Sequence, residues 1–261
     1  MSGVRTAKRA AAACVVAILA VAGLVACGGS TTSGPAASQT LTVSAAASLT
    51  ATFDQLAEQF DAANSGVRVR LNFGGSSDLA AQILQGARVD VFATATTSTM
   101  DMVTRAELID GPPTAFVTNE LQIAVAQGNP KGITTFADLA KPGVTVVVET
   151  PQEPAGAATR KVEQVAGVML HPASEELDVK LVLSKVATGN ADAGVVYRTD
   201  VRAANGKVQG VDFPEAAQAI NTYLIAVLKI STHHDLARKF IALVLGPTGQ
   251  RVLTQAGFGR P

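Results

Sequence analysis

The stretch LTVSAAASLTATFDQLAEQFDAANSGVRVRLNFGGSSDL, residues 41–79, decides the fold class. A short β-branched run opens it at 41–43, and apolar side chains then recur at helical spacing over 49–63. Apolar and polar residues alternate at 67–71, which predicts a half-buried strand. A helical stretch follows from Leu79 to Gln85. The order strand, helix, strand, helix predicts an α/β fold with a largely parallel sheet.

The same alternation continues through the rest of the chain. The further predicted strands lie at 89–93, 121–126, 144–148, 193–197 and 221–228, and the further predicted helices at 157–166, 177–188, 234–245 and 248–256. A turn at Thr118-Asn119 separates two α/β units of roughly 100 residues each, a usual domain size. We therefore expect a ligand in the crevice between the two units.

The composition excludes several classes of protein. The chain has 261 residues, of which 48% are hydrophobic, so it can form real cores and is not intrinsically disordered. Its 21 basic residues equal its 21 acidic residues, which leaves no basic excess for a nucleic-acid partner. Two Cys and three His argue against a disulfide scaffold and against a zinc site with several ligands.

The N-terminal residues predict an export signal. Basic residues precede a continuous apolar run at 10–26, which is shorter than the ~20 residues of a membrane-crossing helix. Leu24-Val25-Ala26-Cys27 resembles the bacterial lipobox, in which the Cys becomes the lipid-bearing first residue. Residues 27–40 are expected to form the lipidated end and a flexible tether. We expect cleavage after residue 26 and lipid on Cys27 at the outer face of the cytoplasmic membrane, with an uncleaved anchor as the alternative.

The turns between strands and helices carry hydroxyl groups and glycine. Ser48 and Ser76 each lie just before a predicted helix, so the simplest interpretation is that each hydroxyl caps its own helix. Pro154-Ala155-Gly156 and Leu177-Asp178-Val179 are the corresponding turns of the second unit. Helix starts present unpaired N–H groups and a partial positive charge. Several of them converging in one crevice would make an anion site without Lys or Arg.

Five segments in order resemble the molybdate-binding proteins of molybdate ABC transporters. They are AAASL at 45–49, FGGSSDLAAQI at 73–83, PAG at 154–156, LDVK at 177–180 and GVVY at 194–197. The resemblance runs from about Leu41 to Phe258 and implies a type II periplasmic-binding-protein fold. In that fold, a first lobe of residues 41–118 plus 222–261 and a second lobe of residues 119–221 enclose the ligand cleft. Two crossing hinge strands join the lobes, near Thr118-Asn119 and Asn221-Thr222.

The resemblance also implies the ligand contacts. Carried over by position, Ser48 and Ser76 supply hydroxyl groups from the first lobe, Ala155 and Val179 supply backbone N–H groups from the second, and Tyr197 supplies a phenol. It implies a solute-binding lipoprotein that captures molybdate, and tungstate as well, and delivers it to an ABC permease. We expect a monomer that is not an enzyme and needs no cofactor beyond the oxyanion ligand.

One departure from the family lies ahead of PAG. The family's acidic-Pro pair is replaced here by Glu149-Thr150-Pro151-Gln152-Glu153. A carboxylate facing the site would repel an anion, so we predict that Glu153 points to solvent. A buried Glu153 would weaken the assignment of Ala155.

Another oxyanion and an enzyme are the alternatives. A site made only of donors favours a fully deprotonated dianion over phosphate, whose proton needs an acceptor. Sulfate is rejected only by its smaller size and stays an alternative. A Ser-dependent hydrolase would pair Ser48 or Ser76 with His171, His233 or His234, but the sequence has no G-x-S-x-G motif and the histidines are predicted at the surface. A surface lipoprotein without a ligand is the third possibility.

Overall fold

The computed structural model describes residues 39–261. The predicted signal peptide, Cys27 and all but the last two tether residues lie outside the described residues. Within 39–261, no helix has the length and apolar character needed to cross a bilayer. The first strand begins at Gln39, slightly before the expected start of the first lobe.

The described residues form two five-stranded sheets. In chain order the strands are β1 (Gln39–Ala46), β2 (Val67–Gly74), β3 (Val91–Thr94), β4 (Ile109–Asn119), β5 (Leu121–Ala126), β6 (Val146–Glu149), β7 (Ser174–Glu176), β8 (Ala193–Tyr197), β9 (Val208–Val211) and β10 (Asn221–Leu228). The first sheet has the order β2-β1-β3-β10-β4 and the second the order β7-β6-β8-β5-β9. The predicted two-lobed α/β class is confirmed, and each lobe is named here by its sheet.

Parallel and antiparallel pairs occur in both sheets. In the first, β1 is parallel to β2 and β3, whereas β10 is antiparallel to β3 and β4. In the second, β6 is parallel to β7 and β8, whereas β5 is antiparallel to β8 and β9. Ligands of open α/β sheets bind beyond the carboxyl ends of parallel strands, which here are the ends of β1, β2 and β3 in the first sheet and of β6, β7 and β8 in the second.

Helices cover both sheets. They are α1 (Thr50–Ala63), α2 (Ser76–Leu84), α3 (Thr97–Arg105), α4 (Pro154–Ala166), α5 (Val179–Ala187), α6 (Arg198–Ala203), α7 (His234–Leu245) and α8 (Pro247–Ala256). In α1, one stripe that includes Phe53, Leu56 and Phe60 is buried, as its helical spacing predicts. The ring centroids of Phe53 and Phe60 lie 5.9 and 5.5 Å from that of Phe240, so α1 and α7 share the first lobe's core.

The backbone passes between the sheets twice. β4 ends at Asn119 in the first sheet and β5 begins at Leu121 in the second, and the chain returns between β9 and β10. At the crossing, Asn119 is the register partner of Asn221. Two adjacent crossing segments of this kind suit a hinge.

Two helices begin three residues earlier than the sequence predicts. Helix α2 starts at Ser76 instead of Leu79, and α4 starts at Pro154 instead of Ala157. Ser76 and Ala155 therefore lie inside the first turns of these helices. Helix α7 spans His234–Leu245 as predicted.

Candidate anion-binding site

Ser48 lies in a 3₁₀ turn, Ala47–Leu49, between β1 and α1. Its side chain makes no capping hydrogen bond to α1, whose N-cap residue is Leu49, so the simple capping interpretation is wrong here. Instead, Ser48 Oγ lies 2.8 Å from Tyr223 Oη, and both groups are buried. The hydroxyl is therefore held by a residue from β10 at the back of the site.

A chain of hydrogen bonds connects Ser48 to Asn119 through Tyr223. Asn119 Oδ1 accepts from the Glu120 N–H at 3.1 Å, which orients the amide so that Nδ2 donates to Tyr223 Oη at 3.3 Å. Nδ2 also donates to Thr199 Oγ1 at 2.8 Å, across to α6 of the second lobe. The contact between Ser48 Oγ and Tyr223 Oη fits either hydrogen-bond direction, and when Tyr223 is the donor the Ser48 proton is available to a ligand.

Ser76 is the first residue of α2 and is not its N-cap either. The N-cap is Gly75, and no side chain of the first turn caps the helix. The buried Ser76 Oγ accepts from the Ala95 N–H at 3.1 Å, at the end of β3. Because its oxygen accepts a hydrogen bond, the Ser76 hydroxyl keeps its proton for a ligand.

Tyr197 ends β8 with a buried phenol. Within residues 39–261, its Oη has no hydrogen-bond partner, although its ring centroid lies 6.1 Å from that of Tyr223. Burial raises the pKa of Tyr197 well above its ordinary value, so the phenol is a donor at neutral pH. A buried hydroxyl without a partner costs ~1–3 kcal/mol, which an oxyanion acceptor would recover.

Ala155 and Val179 lie in the first turns of α4 and α5. The N-cap of α5, Asp178, accepts from the N–H groups of Lys180 and Leu181. At α4 the backbone is already engaged, since the Ala155 N–H donates to Glu149 Oε2 at 2.5 Å and the Gly156 N–H to the same atom at 3.1 Å. Ala155 is thus the assigned donor that already has an acceptor.

Glu149 is a buried acid at the end of β6. Burial is the main cause that raises its pKa to about 8, against the lowering effect of the two N–H donors. Its side chain is therefore a neutral carboxylic acid at pH 7. In that form it adds no negative charge beside the N-terminus of α4, where an anion is expected.

The prediction that Glu153 points to solvent is wrong. Its side chain is buried, and its carboxylate accepts from the N–H groups of Ser77 and Asp78 in the first turn of α2, both at 2.9 Å. The N–H groups in the first turn of α2 have no partner within their own helix and lie at its positive end, so they can donate to a carboxylate from the other lobe. By the criterion stated for Glu153, the assignment of Ala155 is weakened, in agreement with its contact to Glu149.

Elements of the two lobes meet around these residues. Ala47 belongs to the hydrophobic core of the second lobe. Asn221 Nδ2 donates to the carbonyls of Ala95 and Pro154, at 3.2 and 3.4 Å, and so joins the end of β3 to the start of α4. A Cβ on Gly75 would lie 2.5 Å from the Leu177 carbonyl oxygen. The turns that carry the predicted residues thus converge from both sheets.

One lysine is adjacent in sequence to a predicted ligand-binding residue. Lys180 follows Val179, and its Nζ lies 2.9 Å from Oδ1 of the fully buried Asp200. Asp200 also accepts from the Tyr197 N–H at 3.1 Å. The charge of Lys180 is therefore balanced by a carboxylate beneath the Tyr197 backbone.

The histidines lie away from the two serines. His233 and His234 contact Asp90 and Asp110, at 3.6 and 3.0 Å, which stand at the starts of β3 and β4. Ser48 follows the end of β1, which is parallel to β3, so these histidines belong to the opposite edge of the first sheet. Exposed His171 precedes β7 at the corresponding edge of the second sheet. The described geometry therefore provides no Ser–His pair for a hydrolase.

The bacterial extracellular solute-binding protein model matches residues 41–259 of the chain. The chain belongs to this family. Solute-binding proteins of this family act outside the cytoplasm in transport, which favours a transport binding protein over the enzyme alternative.

Individual relatives of this solute-binding protein bind oxyanions. The molybdate-binding protein ModA of Mycobacterium tuberculosis is 51% identical over 252 residues, which cover 95% of this chain and 97% of that protein. A sulfate-binding protein of Synechococcus elongatus is 28% identical and covers 90% of this chain and 78% of its own length. The periplasmic molybdate-binding protein of Azotobacter vinelandii has the same fold, with a TM-score of 0.75 at 24% identity over 85% of this chain and 99% of that one.

Proposed function

We propose that this solute-binding protein captures molybdate between its lobes and delivers it to an ABC permease. The observation that carries the proposal is the set of neutral donors at the site. Tyr197 has a buried phenol without a partner in the described residues. The Ser48 oxygen is hydrogen-bonded to the Tyr223 hydroxyl, and the Ser76 oxygen accepts from the Ala95 N–H. Each of the three can therefore donate to an acceptor. The similarity to ModA supports the choice of ligand.

Protonation separates molybdate from phosphate. Molybdate is a full dianion near neutral pH and accepts hydrogen bonds at every oxygen. Phosphate carries at least one proton, and an unmatched O–H costs ~1–3 kcal/mol, or about 5–150-fold in affinity. We propose that molybdate accepts hydrogen bonds from Ser48, Ser76, Val179 and Tyr197. Ala155 is the fifth proposed donor, and its N–H also donates to Glu149.

Sulfate is the second candidate, because a sulfate-binding relative covers most of the chain. Sulfate is smaller than molybdate and would lose contact with part of a donor set that spans two lobes. Tungstate has nearly the size and charge of molybdate, and we propose that it binds as well.

The cellular setting completes the proposal. We propose that residues 1–26 are removed, that Cys27 carries lipid, and that the monomer is held at the outer face of the cytoplasmic membrane. The lobes are proposed as 41–118 plus 222–261 and 119–221. Closure of the lobes around the anion gives the form that the permease recognises.

Thermal unfolding with four anions tests the proposal. A ligand at 100 times its Kd stabilises a protein by ~2.7 kcal/mol, which should raise the midpoint by roughly 5–10 °C for a domain of this size. We expect this shift with molybdate and tungstate, and smaller shifts with sulfate and phosphate at the same concentration. The absence of a shift with all four anions would refute anion binding.

A further inference from the structure

The carboxylate of Glu153 joins the two lobes. Glu153 precedes α4 in the second lobe, and its Oε2 and Oε1 accept from the N–H groups of Ser77 and Asp78 in α2 of the first lobe. Beside this contact, Ser77 Oγ donates to the carbonyl of Gln152 at 2.7 Å. Three hydrogen bonds thus cross between the lobes at one point.

Helix α2 has no cap from its own lobe. Its N-cap residue, Gly75, has no side chain, and no capping hydrogen bond is formed within the first turn. Glu153 supplies the acceptor that an N-cap side chain normally provides. Its negative charge also faces the positive end of the helix dipole.

Gly75 leaves the room that this contact needs. A Cβ at Gly75 would lie 2.5 Å from Glu153 Cδ and 2.5 Å from the Leu177 carbonyl oxygen, both in the second lobe. The backbone of Gly75 has φ −56°, which any residue adopts, so close approach rather than conformation requires glycine here. A side chain at this position would hold the lobes apart.

We propose that Glu153 is a latch that holds the two lobes closed over the bound anion. The proposal rests on the proposed function, because the latch lengthens the time that a captured anion remains bound. Glu153 is a positioning residue and does not contact the anion. Since its hydrogen bonds form only when the lobes meet, losing them should speed dissociation and leave association unchanged.

The contact made by Glu153 is of moderate strength, so the lobes can separate again. Burial and the nearby carboxylates of Asp78 and Asp178 raise the pKa of Glu153, so its charged form is held less firmly than its two N–H donors alone would hold it. A contact of moderate strength suits a protein that must open again to deliver its ligand.

Binding kinetics test the latch. The chain contains two Tyr and no Trp, and both tyrosines lie at the site, so tyrosine emission in a stopped-flow instrument reports molybdate binding. The observed rate against molybdate concentration gives association from the slope and dissociation from the intercept. In the mature chain with Cys27→Ser, Glu153→Ala should raise the dissociation rate about tenfold or more, because hydrogen bonds to charged groups are lost. Glu153→Gln keeps an acceptor and should raise it less.

Glu163 provides the matched control. It lies in the same helix, α4, and its carboxylate accepts from the Leu170 N–H at 2.7 Å within the second lobe. Glu163→Gln should change the unfolding midpoint without changing either rate. A folded Glu153→Ala protein with the wild-type dissociation rate would overturn the latch.

A distance measurement separates the latch from the proposed function. Spin labels on Arg105→Cys in α3 and Lys161→Cys in α4, both exposed, report the separation of the lobes without ligand. We expect Glu153→Ala to shift the distribution to longer distances, and identical distributions would overturn the latch. Failure of every anion to bind the wild type would refute the proposed function, while the distances would still decide the latch.

Discussion

At the scale of single residues, the orientation of the Ser48 hydroxyl depends on side chains far away in sequence. Tyr223 is 175 positions from Ser48 and 104 from Asn119, yet the three form one chain of hydrogen bonds. A chain of donors whose direction is fixed at one end pre-orients the proton at the other end. The first donor, the Asn119 amide, also donates to Thr199 in the second lobe, so this chain of hydrogen bonds reaches both lobes.

Removal of the Tyr223 hydroxyl tests this chain. Tyr223→Phe should weaken molybdate binding by ~1 kcal/mol, because the Ser48 hydroxyl loses its hydrogen-bond partner. Ser48→Ala and Ser76→Ala remove donors outright and should cost ~1–3 kcal/mol each. Isothermal titration calorimetry measures these changes.

The control for this series is Ser231→Ala. Ser231 has a buried hydroxyl that donates to Asp90 at 2.6 Å, at the opposite edge of the first sheet. The Ser231→Ala variant should bind molybdate with wild-type affinity. Wild-type affinity in both Ser48→Ala and Ser76→Ala would remove these hydroxyls from the site.

We expect Glu149 to make molybdate binding depend on pH. Its pKa is raised from 4.5 to about 8, mainly by burial, with Glu153 and Asp200 adding repulsion. Its ionisation as the pH rises through about 8 places a negative charge beside the anion, so molybdate affinity should fall between pH 7 and 9. Calorimetry across this range checks the fall, and Glu149→Gln should bind with little dependence on pH. If the affinity of Glu149→Gln fell equally steeply with pH, the pH dependence would belong to another titratable group.

The raised pKa of Glu149 also determines how the free energy of unfolding changes with pH. Between the unfolded pKa near 4.5 and the folded pKa near 8, the folded state binds the proton and the unfolded state does not. The contribution of Glu149 to the free energy of unfolding is therefore largest below pH 4.5 and falls as the pH rises to about 8.

Some site residues were recognisable in sequence and others were not. Ser48, Ser76 and Tyr197 stand in short motifs at strand ends, so they could be singled out as candidates. Tyr223 and Asn119 stand inside ordinary strand patterns, and only the tertiary fold brings their side chains to Ser48. Glu153 was misjudged because its partners are backbone N–H groups of the other lobe, which no sequence pattern displays.

At the scale of elements, the predicted starts of α2 and α4 lie too far along the chain for a shared reason. The apolar periodicity of α2 begins at Leu79, after the polar residues Ser76, Ser77 and Asp78, and α4 begins with Pro-Ala-Gly. The free N–H groups of these first turns are satisfied by Glu153 and Glu149, neither of which belongs to the helix it caps. Without a local cap, the start of α2 has no signal in the sequence, whereas Pro154 at the first position of α4 is a start signal that the apolar periodicity did not take into account.

The strand β4 and helix α3 were missed for a different reason. Gly111, Pro112 and Pro113 interrupt the alternation of β4, and its pairing with β10 shifts register in two places. Proline and glycine inside a strand normally indicate a turn or an irregularity. Helix α3 has few strongly apolar residues, and of these Met100 and Val103 are buried.

The cap of α5 gives a prediction at this scale. Asp178 accepts from two N–H groups of α5, so Asp178→Ala should lower the free energy of unfolding by ~1 kcal/mol. It should also weaken molybdate binding, because the first turn that carries the Val179 N–H loosens. Thermal unfolding and calorimetry measure the two effects.

A second cap in the same lobe serves as the control. Thr135 forms a capping box with Asp138 at the 3₁₀ turn Phe136–Ala140. Thr135→Ala should reduce stability similarly and leave the affinity unchanged. If Asp178→Ala also retains its affinity, Val179 is not a ligand donor.

At the scale of the whole molecule, the alternation of strands and helices predicted the α/β class, whereas the details of each sheet depend on long-range pairing. β10 comes last in the chain but lies between β3 and β4, and it is antiparallel to both. That insertion places Tyr223 and Asn221 at the junction of the lobes. The sequence predicted strand 221–228 but could not reveal its neighbours, because register and order are set by packing rather than by local pattern.

The proposed binding mode is a tetrahedral dianion held between the lobes by neutral donors alone. Anomalous scattering at the molybdenum edge, from crystals of the mature domain grown with molybdate, locates the ion directly. We expect one peak within hydrogen-bonding distance of Ser48 Oγ, Ser76 Oγ and Tyr197 Oη, with no Lys or Arg nitrogen in contact. A peak elsewhere, or a cationic side chain bound to the ion, would contradict it.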